Sequence, residues 1–163
     1  MWARIANLPL LIVLTGIGAL AMYIPAVHGA LSRDLHSARS YFYSATIFIA
    51  LVAMIAIATS NYAPKRQARN HLLALLATFV VLPVMLAFPL WESIGNTRFI
   101  NAYFEMVSSL TTTGATVFEP DRLVGADHLW RGLVGWMGGF LIWVSAIAIL
   151  APLNLGGFEV LGA

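Results

Sequence analysis

Residues 41–62 form an apolar run without a single charged side chain and without period-two alternation. A bilayer core is crossed by about 20 apolar residues in a helix, so a run of this length and character reads as a membrane span. Comparable runs cover residues 5–27, 71–91 and 129–151. Only 10% of the residues are charged and 60% are hydrophobic. Soluble domains carry about 25% charged residues, so this chain cannot face water all round. The expected class is an all-α integral membrane protein. The formal charge of +2 comes from a few loop Lys and Arg and points to topology, not to nucleic acid. With no cysteine, disulfides and thiolate metal sites are excluded. The first run is too long for a signal-peptide core and lacks a small-residue cleavage pattern, so it is expected to be retained as a helix.

One stretch does not fit this pattern. Residues 97–110 could form a helix, but at about 1.5 Å per residue it would cover some 20 Å of a core about 30 Å thick. It is therefore expected to enter the membrane and turn back. The run Thr111-Thr112-Thr113-Gly114-Ala115-Thr116 follows it. Non-helical backbone at membrane depth is tolerated where protein buries it or where it lines an aqueous cavity. In the second case its carbonyls are freed from helix bonding and can replace the water around a cation. Gly114 would supply a backbone angle that other residues resist. A plain polar turn between two helices is the competing reading.

The rest of the chain sets the frame. His28 to Ser40 reads as a polar connection carrying Arg33, Asp34, His36 and Arg39, with Tyr41, Tyr43 and Tyr62 at the interfaces of the second span. Lys65, Arg66 and Arg69 are the densest basic cluster and place the 63–70 loop, and with it the N-terminus, in the cytoplasm. Pro83 and Pro89 are expected to bend or end the third span, and Glu119 to His128 reads as a polar loop.

Span, short helix, Thr-Gly run, span is the arrangement of a potassium-channel pore unit. Tyr103-Phe104-Glu105 through Leu110-Thr111-Thr112-Thr113-Gly114-Ala115-Thr116 resembles the first pore loop of the TrkH-type potassium uptake proteins (the Trk/Ktr/HKT superfamily). Leu129-Trp130-Arg131, Trp136-Met137-Gly138-Gly139, Ala148-Ile149-Leu150-Ala151-Pro152 and Gly156-Gly157 resemble the helix that follows it there. The resemblance covers roughly residues 70–157; the first two spans resemble, less specifically, the helix pair that precedes the pore.

It implies a two-helix N-terminal segment (1–64) and one pore repeat (65–163), with span 71–91, pore helix 97–110, filter 111–116 and span 129–151. Thr111, Thr112, Thr113, Gly114 and Ala115 would then offer backbone carbonyls to K⁺, the transported ion. Such proteins carry four repeats around a pseudo-fourfold axis. One repeat supplies a quarter of a carbonyl ring, so the remaining repeats are expected as partners in the same or another chain. The sequence thus looks like the N-terminal piece of a longer transporter, by truncation, gene splitting or assembly, and is expected to be poorly stable alone. The family also implies a bacterial inner membrane and a cytoplasmic nucleotide-binding regulatory subunit.

Among single residues, Glu105 could place negative charge behind the filter. The preferred reading is a structural carboxylate bonded to filter amides or to an Arg. Glu119 and Asp121 could concentrate cations at the mouth or be plain solvated side chains. Gly138-Gly139 reads as a packing point before a hinge. The scattered His28, His36, His71 and His128 show no ligand spacing, and no nucleophile, acid and base converge, so an enzyme is not expected. The alternative to transport is a non-conducting structural or assembly subunit.

Overall fold

The computed structural model describes residues 10–59 and 67–150. They form six α-helices and one 3-10 turn, with no strand among the described residues. In order these are α1 (Leu10–Ala21), α2 (Tyr23–Leu31), α3 (Leu35–Thr59), α4 (Gln67–Ile94), α5 (Phe99–Leu110), the 3-10 turn Pro120–Arg122, and α6 (Gly125–Leu150). Four stretches are long and apolar enough to cross a membrane: Leu11–Leu31, Leu35–Thr59, Ala77–Ile94 and Gly125–Ile147. The chain is an all-α, multi-pass membrane protein.

Helices α1 and α2 act as one span. The break at Met22 follows from Pro25, whose missing N–H leaves the Ala21 carbonyl without its usual partner; bonds from Met22 N to Gly18 O and from Ala26 N to Met22 O carry the helix across. The expected connection at 28–40 shrinks to a tight hairpin. Arg33 takes the left-handed conformation (φ 61°), while Asp34 N bonds Gly29 O and Arg33 N bonds Ala30 O. That pairing closes a helix C-terminus and satisfies its free carbonyls. Asp34 then caps α3 through Oδ1, which accepts the Ser37 amide at 3.2 Å. So α3 starts well before Tyr41, and Tyr41 is fully buried instead of lying at the interface. Tyr62 and the Lys65–Arg66 pair lie outside the described residues.

Helix α4 continues through Pro83 and Pro89 to Ile94, so neither proline ends it. Both lie inside the packed core with Leu82, Leu86 and Leu90, where neighbouring helices hold the chain in place. The core joins α1, α3 and α4 through Ala19, Met22, Tyr41, Ala45 and Leu86. It then passes to α5 and α6 through Ala102, Met106, Leu110, Trp130 and Val134. Small residues permit the close approaches: a Cβ on Gly18 would stand 3.0 Å from Met85 Cε.

Helix α6 begins at Gly125, four residues before the expected start. Asp127 therefore belongs to its first turn and is buried, not part of a polar loop. The Tyr41 hydroxyl donates to Asp127 Oδ1 at 2.9 Å, which removes the cost of an unpaired polar group in the core. Trp130, one turn on, donates its indole N–H to the Leu86 carbonyl at 3.0 Å and meets the Tyr41 ring edge-on at 5.8 Å. These contacts fasten α6 to α3 and α4.

Candidate functional site

Helix α5 has 12 residues, about 18 Å of rise, too short to cross a bilayer core of about 30 Å. It packs between α4 and α6, and its C-terminus delivers the Thr-Gly run. The exit is tightly built. Thr112 N bonds Ser109 O at 3.0 Å, and Thr113 N bonds Ser108 O at 2.9 Å. The turning residue of such a motif must be left-handed, and glycine usually fills it. Here it is Thr112, at φ 57°. A β-branched residue in that region is a steric outlier costing roughly 1–3 kcal/mol, of the kind that clusters at functional sites. Gly114 is left-handed too, at φ 76°.

Hydroxyls fix the rest of the run. Thr111 Oγ1 donates to Val107 O at 2.8 Å and lies 2.8 Å from Thr113 Oγ1. Ser108 Oγ donates to the Ala115 carbonyl at 2.7 Å, occupying one lone pair of that oxygen. The carbonyls of Thr111, Thr112, Thr113 and Gly114 accept no hydrogen bond among the described residues. Thr112, Thr113, Gly114 and Ala115 are exposed, and Thr111 is half-buried. The five expected site residues thus lie together, four with unoccupied oxygens and Ala115 partly engaged.

Glu105 anchors the segment that follows. It is fully buried on α5. Its Oε1 accepts the Val117 amide at 2.7 Å and the Thr116 hydroxyl at 2.5 Å. Its Oε2 lies 2.9 Å from Arg131 Nε on α6. A buried carboxylate is stable only when paired and hydrogen-bonded, and here one side chain joins α5, the segment leaving the run and α6. Of the partners expected for Glu105, filter amides or an arginine, the arginine is present, and the amide is that of Val117, one residue past the run, with the Thr116 hydroxyl beside it.

The other wall is α6. A Cβ on Gly138 would fall 2.0 Å from the Leu110 carbonyl oxygen, so only glycine lets α6 touch the end of α5. Gly138 is a contact point, and Gly135 and Gly139 lie beside it, facing Ser109 O and Thr112 Cγ2. Ser109, Thr112, Gly114, Arg131, Gly132 and Gly135 border an open depression. Phe118 and Leu123 are buried and pin the loop beyond the run, and the Arg122 guanidinium lies over the Phe118 ring at 5.6 Å and donates to the Asn96 carbonyl. Glu119 and Asp121 are exposed on that loop. Sequence reasoning missed two features: the left-handed Thr112, which residue type argues against, and the Tyr41–Asp127 bond. An acid one turn before a tryptophan at the head of an apolar run was the available signal for the second.

The chain is similar to potassium uptake proteins of the Trk system. It is 33% identical over 151 residues to TrkH of Escherichia coli K12, covering 85% of this chain and 29% of that protein. With TrkG of the same organism it shares 32% over 119 residues, 72% of this chain and 24% of that protein. With TrkH of Vibrio parahaemolyticus it shares 45% over 65 residues, 39% of this chain and 13% of that protein. The chain therefore spans under a third of the length of these curated relatives. No family model matches it, and no solved structure does.

Proposed function

From its place among the TrkH-type potassium uptake proteins, we propose that this chain forms one pore-lining repeat of a K⁺ transporter. The observation that carries the reading is the Thr112–Gly114 backbone. Two left-handed residues flank Thr113, and four consecutive peptide oxygens, 111 to 114, are left unoccupied. Such oxygens can substitute for the hydration shell of a cation. In this reading α5 is a re-entrant pore helix. Its C-terminal end, with partial negative charge, points towards the ion. Ala115 contributes less than its neighbours because Ser108 already holds its carbonyl. Selectivity is modest, since no aromatic braces the outer end of the run.

One repeat gives a quarter of a carbonyl ring, so further repeats from the same or another chain complete the pathway. By analogy with the family, the setting is the bacterial inner membrane. The 63–70 loop and the N-terminus are cytoplasmic, and a nucleotide-binding regulatory subunit docks from that side. The protein acts in transport and performs no covalent chemistry. A non-conducting assembly subunit is the alternative.

The test is K⁺-limited growth of an uptake-deficient bacterial strain expressing the chain with whatever flanking sequence its gene encodes. Rescue by the wild type and its loss with Gly114→Asp, at equal membrane abundance, is the expected result. Rescue that survives Gly114→Asp would refute the filter assignment.

A further inference from the structure

A second site lies at the other end of the sequence, away from the Thr-Gly run. The α2–α3 hairpin brings two helices into backbone contact: a Cβ on Gly29 would stand 3.1 Å from Ala38 N. Beside that contact runs an apolar groove of about 390 Å³. Its floor is made of small buried residues, Ala26 and Ala38. Tyr23 and Phe42, edge to face at 5.6 Å, wall one end, and Tyr23 is held there by a 3.1 Å bond between its hydroxyl and Thr46 Oγ1. Tyr43 borders the groove as well.

The groove contains one charge. Arg39 lines it, is exposed, and makes no hydrogen bond or ion pair with any described residue. It stands on a membrane-spanning helix, about one turn from its start. Ionisable groups inside a span are costly and normally find a partner or mark a site. The aliphatic stem of an arginine can lie along apolar surface while its guanidinium stays at headgroup level. The fork of donors fits phosphate in a bidentate manner.

We propose that this groove is a binding site for an anionic phospholipid. The phosphate sits on Arg39, and the first methylenes of one acyl chain lie over Ala26 and Ala38 against the Tyr23–Phe42 wall. A guanidinium at headgroup level beside an apolar groove offers a lipid both halves of its contact, charge for the phosphate and apolar surface for the chain. The proposal is independent of the ion pathway.

The test uses the protein in nanodiscs of phosphatidylcholine mixed with phosphatidylglycerol, followed by extraction and mass measurement of the retained lipid. Both lipids carry the phosphate, but choline offsets it in phosphatidylcholine, so the uncompensated charge of phosphatidylglycerol beside one arginine predicts about fivefold enrichment over its bulk fraction. Arg39→Gln should return the ratio to the bulk value. Ala30→Trp, which fills the groove from its open side, should do the same with Arg39 in place. Arg98→Gln, an exposed arginine outside the groove, should leave the enrichment intact. Enrichment that survives Arg39→Gln overturns the phosphate contact. Enrichment that survives Ala30→Trp overturns the groove. Displacement of the lipid by soluble glycerol phosphate at equal concentration would mean that the site takes free phosphate, and would also overturn it.

Discussion

At the scale of single residues, the Thr-Gly run depends on backbone handedness more than on side-chain chemistry. Gly95 and Gly114 allow this to be tested cleanly. Both are left-handed, at φ 72° and 76°, and a Cβ on either meets nothing within 4 Å. Alanine at each should therefore cost the same, about 1–2 kcal/mol, from conformation alone. Thermal melts of the two variants should shift alike, while only Gly114→Ala should reduce K⁺-dependent growth. Equal growth defects would make the run an ordinary turn. Glu105 is the residue whose loss should be felt most widely. Arg131→Met leaves a buried carboxylate without its counter-ion. The expected cost is at or somewhat below the roughly 3–5 kcal/mol of a buried pair, since the Arg131 side chain keeps 22% of its surface. The double variant Glu105→Gln with Arg131→Met should cost clearly less than the sum of the singles in denaturant melts, because the two charges share one contact. The residue types of the run were readable from sequence, and so was the need for glycine at 114. The positive φ of Thr112 was not, because β-branched residues avoid it, while the bonds from Thr112 N to Ser109 O and from Thr113 N to Ser108 O that close the end of α5 impose it.

At the scale of elements, hydropathy located the four spans but set their ends by the nearest charge. That rule failed in the same way twice. Arg39 and Asp127 both lie inside helices, one exposed beside an apolar groove and the other buried and hydrogen-bonded to a tyrosine hydroxyl. Asp127 can lie inside the helix because Tyr41, 86 residues away in sequence, donates to it, and sequence alone does not show that partner. Of the two outcomes expected for the prolines, bending or ending the span, ending does not occur, for a related reason. Pro83 and Pro89 weaken a helix in isolation, yet α4 is packed on several sides and continues through both. The short α5, by contrast, was legible because its length is a geometric constraint that packing cannot relax. Its contact with α6 supplies the prediction at this scale. Gly138→Ala drives a methyl into the Leu110 backbone, and neither helix can yield locally, so α5 and α6 must separate. The cost should be at least the 1–3 kcal/mol of an overpacked core, with transport lost. Gly132→Ala on the same helix points into open space and should gain up to about 1 kcal/mol from helix propensity. Melting temperatures of the pair, moving in opposite directions, would check the assignment.

At the scale of the whole molecule, the surface divides into two kinds that a membrane treats differently. Ile47, Leu51, Met54 and Ile55 on α3 are exposed and wholly apolar, and lipid covers such a face without cost. The open side of the Thr-Gly run, by contrast, carries the Thr112 hydroxyl and four peptide oxygens with no partner among the described residues. Hydrocarbon cannot cover those, since each unsatisfied peptide group there costs several kcal/mol. Trp136, Phe140 and Trp143 are exposed on α6, with Trp136 and Phe140 stacked at 6.2 Å, and suit protein as well as lipid. Relatives about three times as long have the chain to complete such a surface. The functional assembly should therefore hold water and a cation against residues 111–114 while keeping α3 in lipid. Residues 1–163 contain no cysteine, so a single cysteine placed among them can be compared with the same protein lacking it. In membranes of the active protein, Thr113→Cys should react with a water-soluble thiol reagent, and K⁺ should slow the reaction more than choline does. Ile47→Cys should stay unlabelled under the same conditions. A Thr113→Cys that reacts no faster than Ile47→Cys would mean that the run is sealed from water, and the carbonyls at 111–114 would then have no ion to meet.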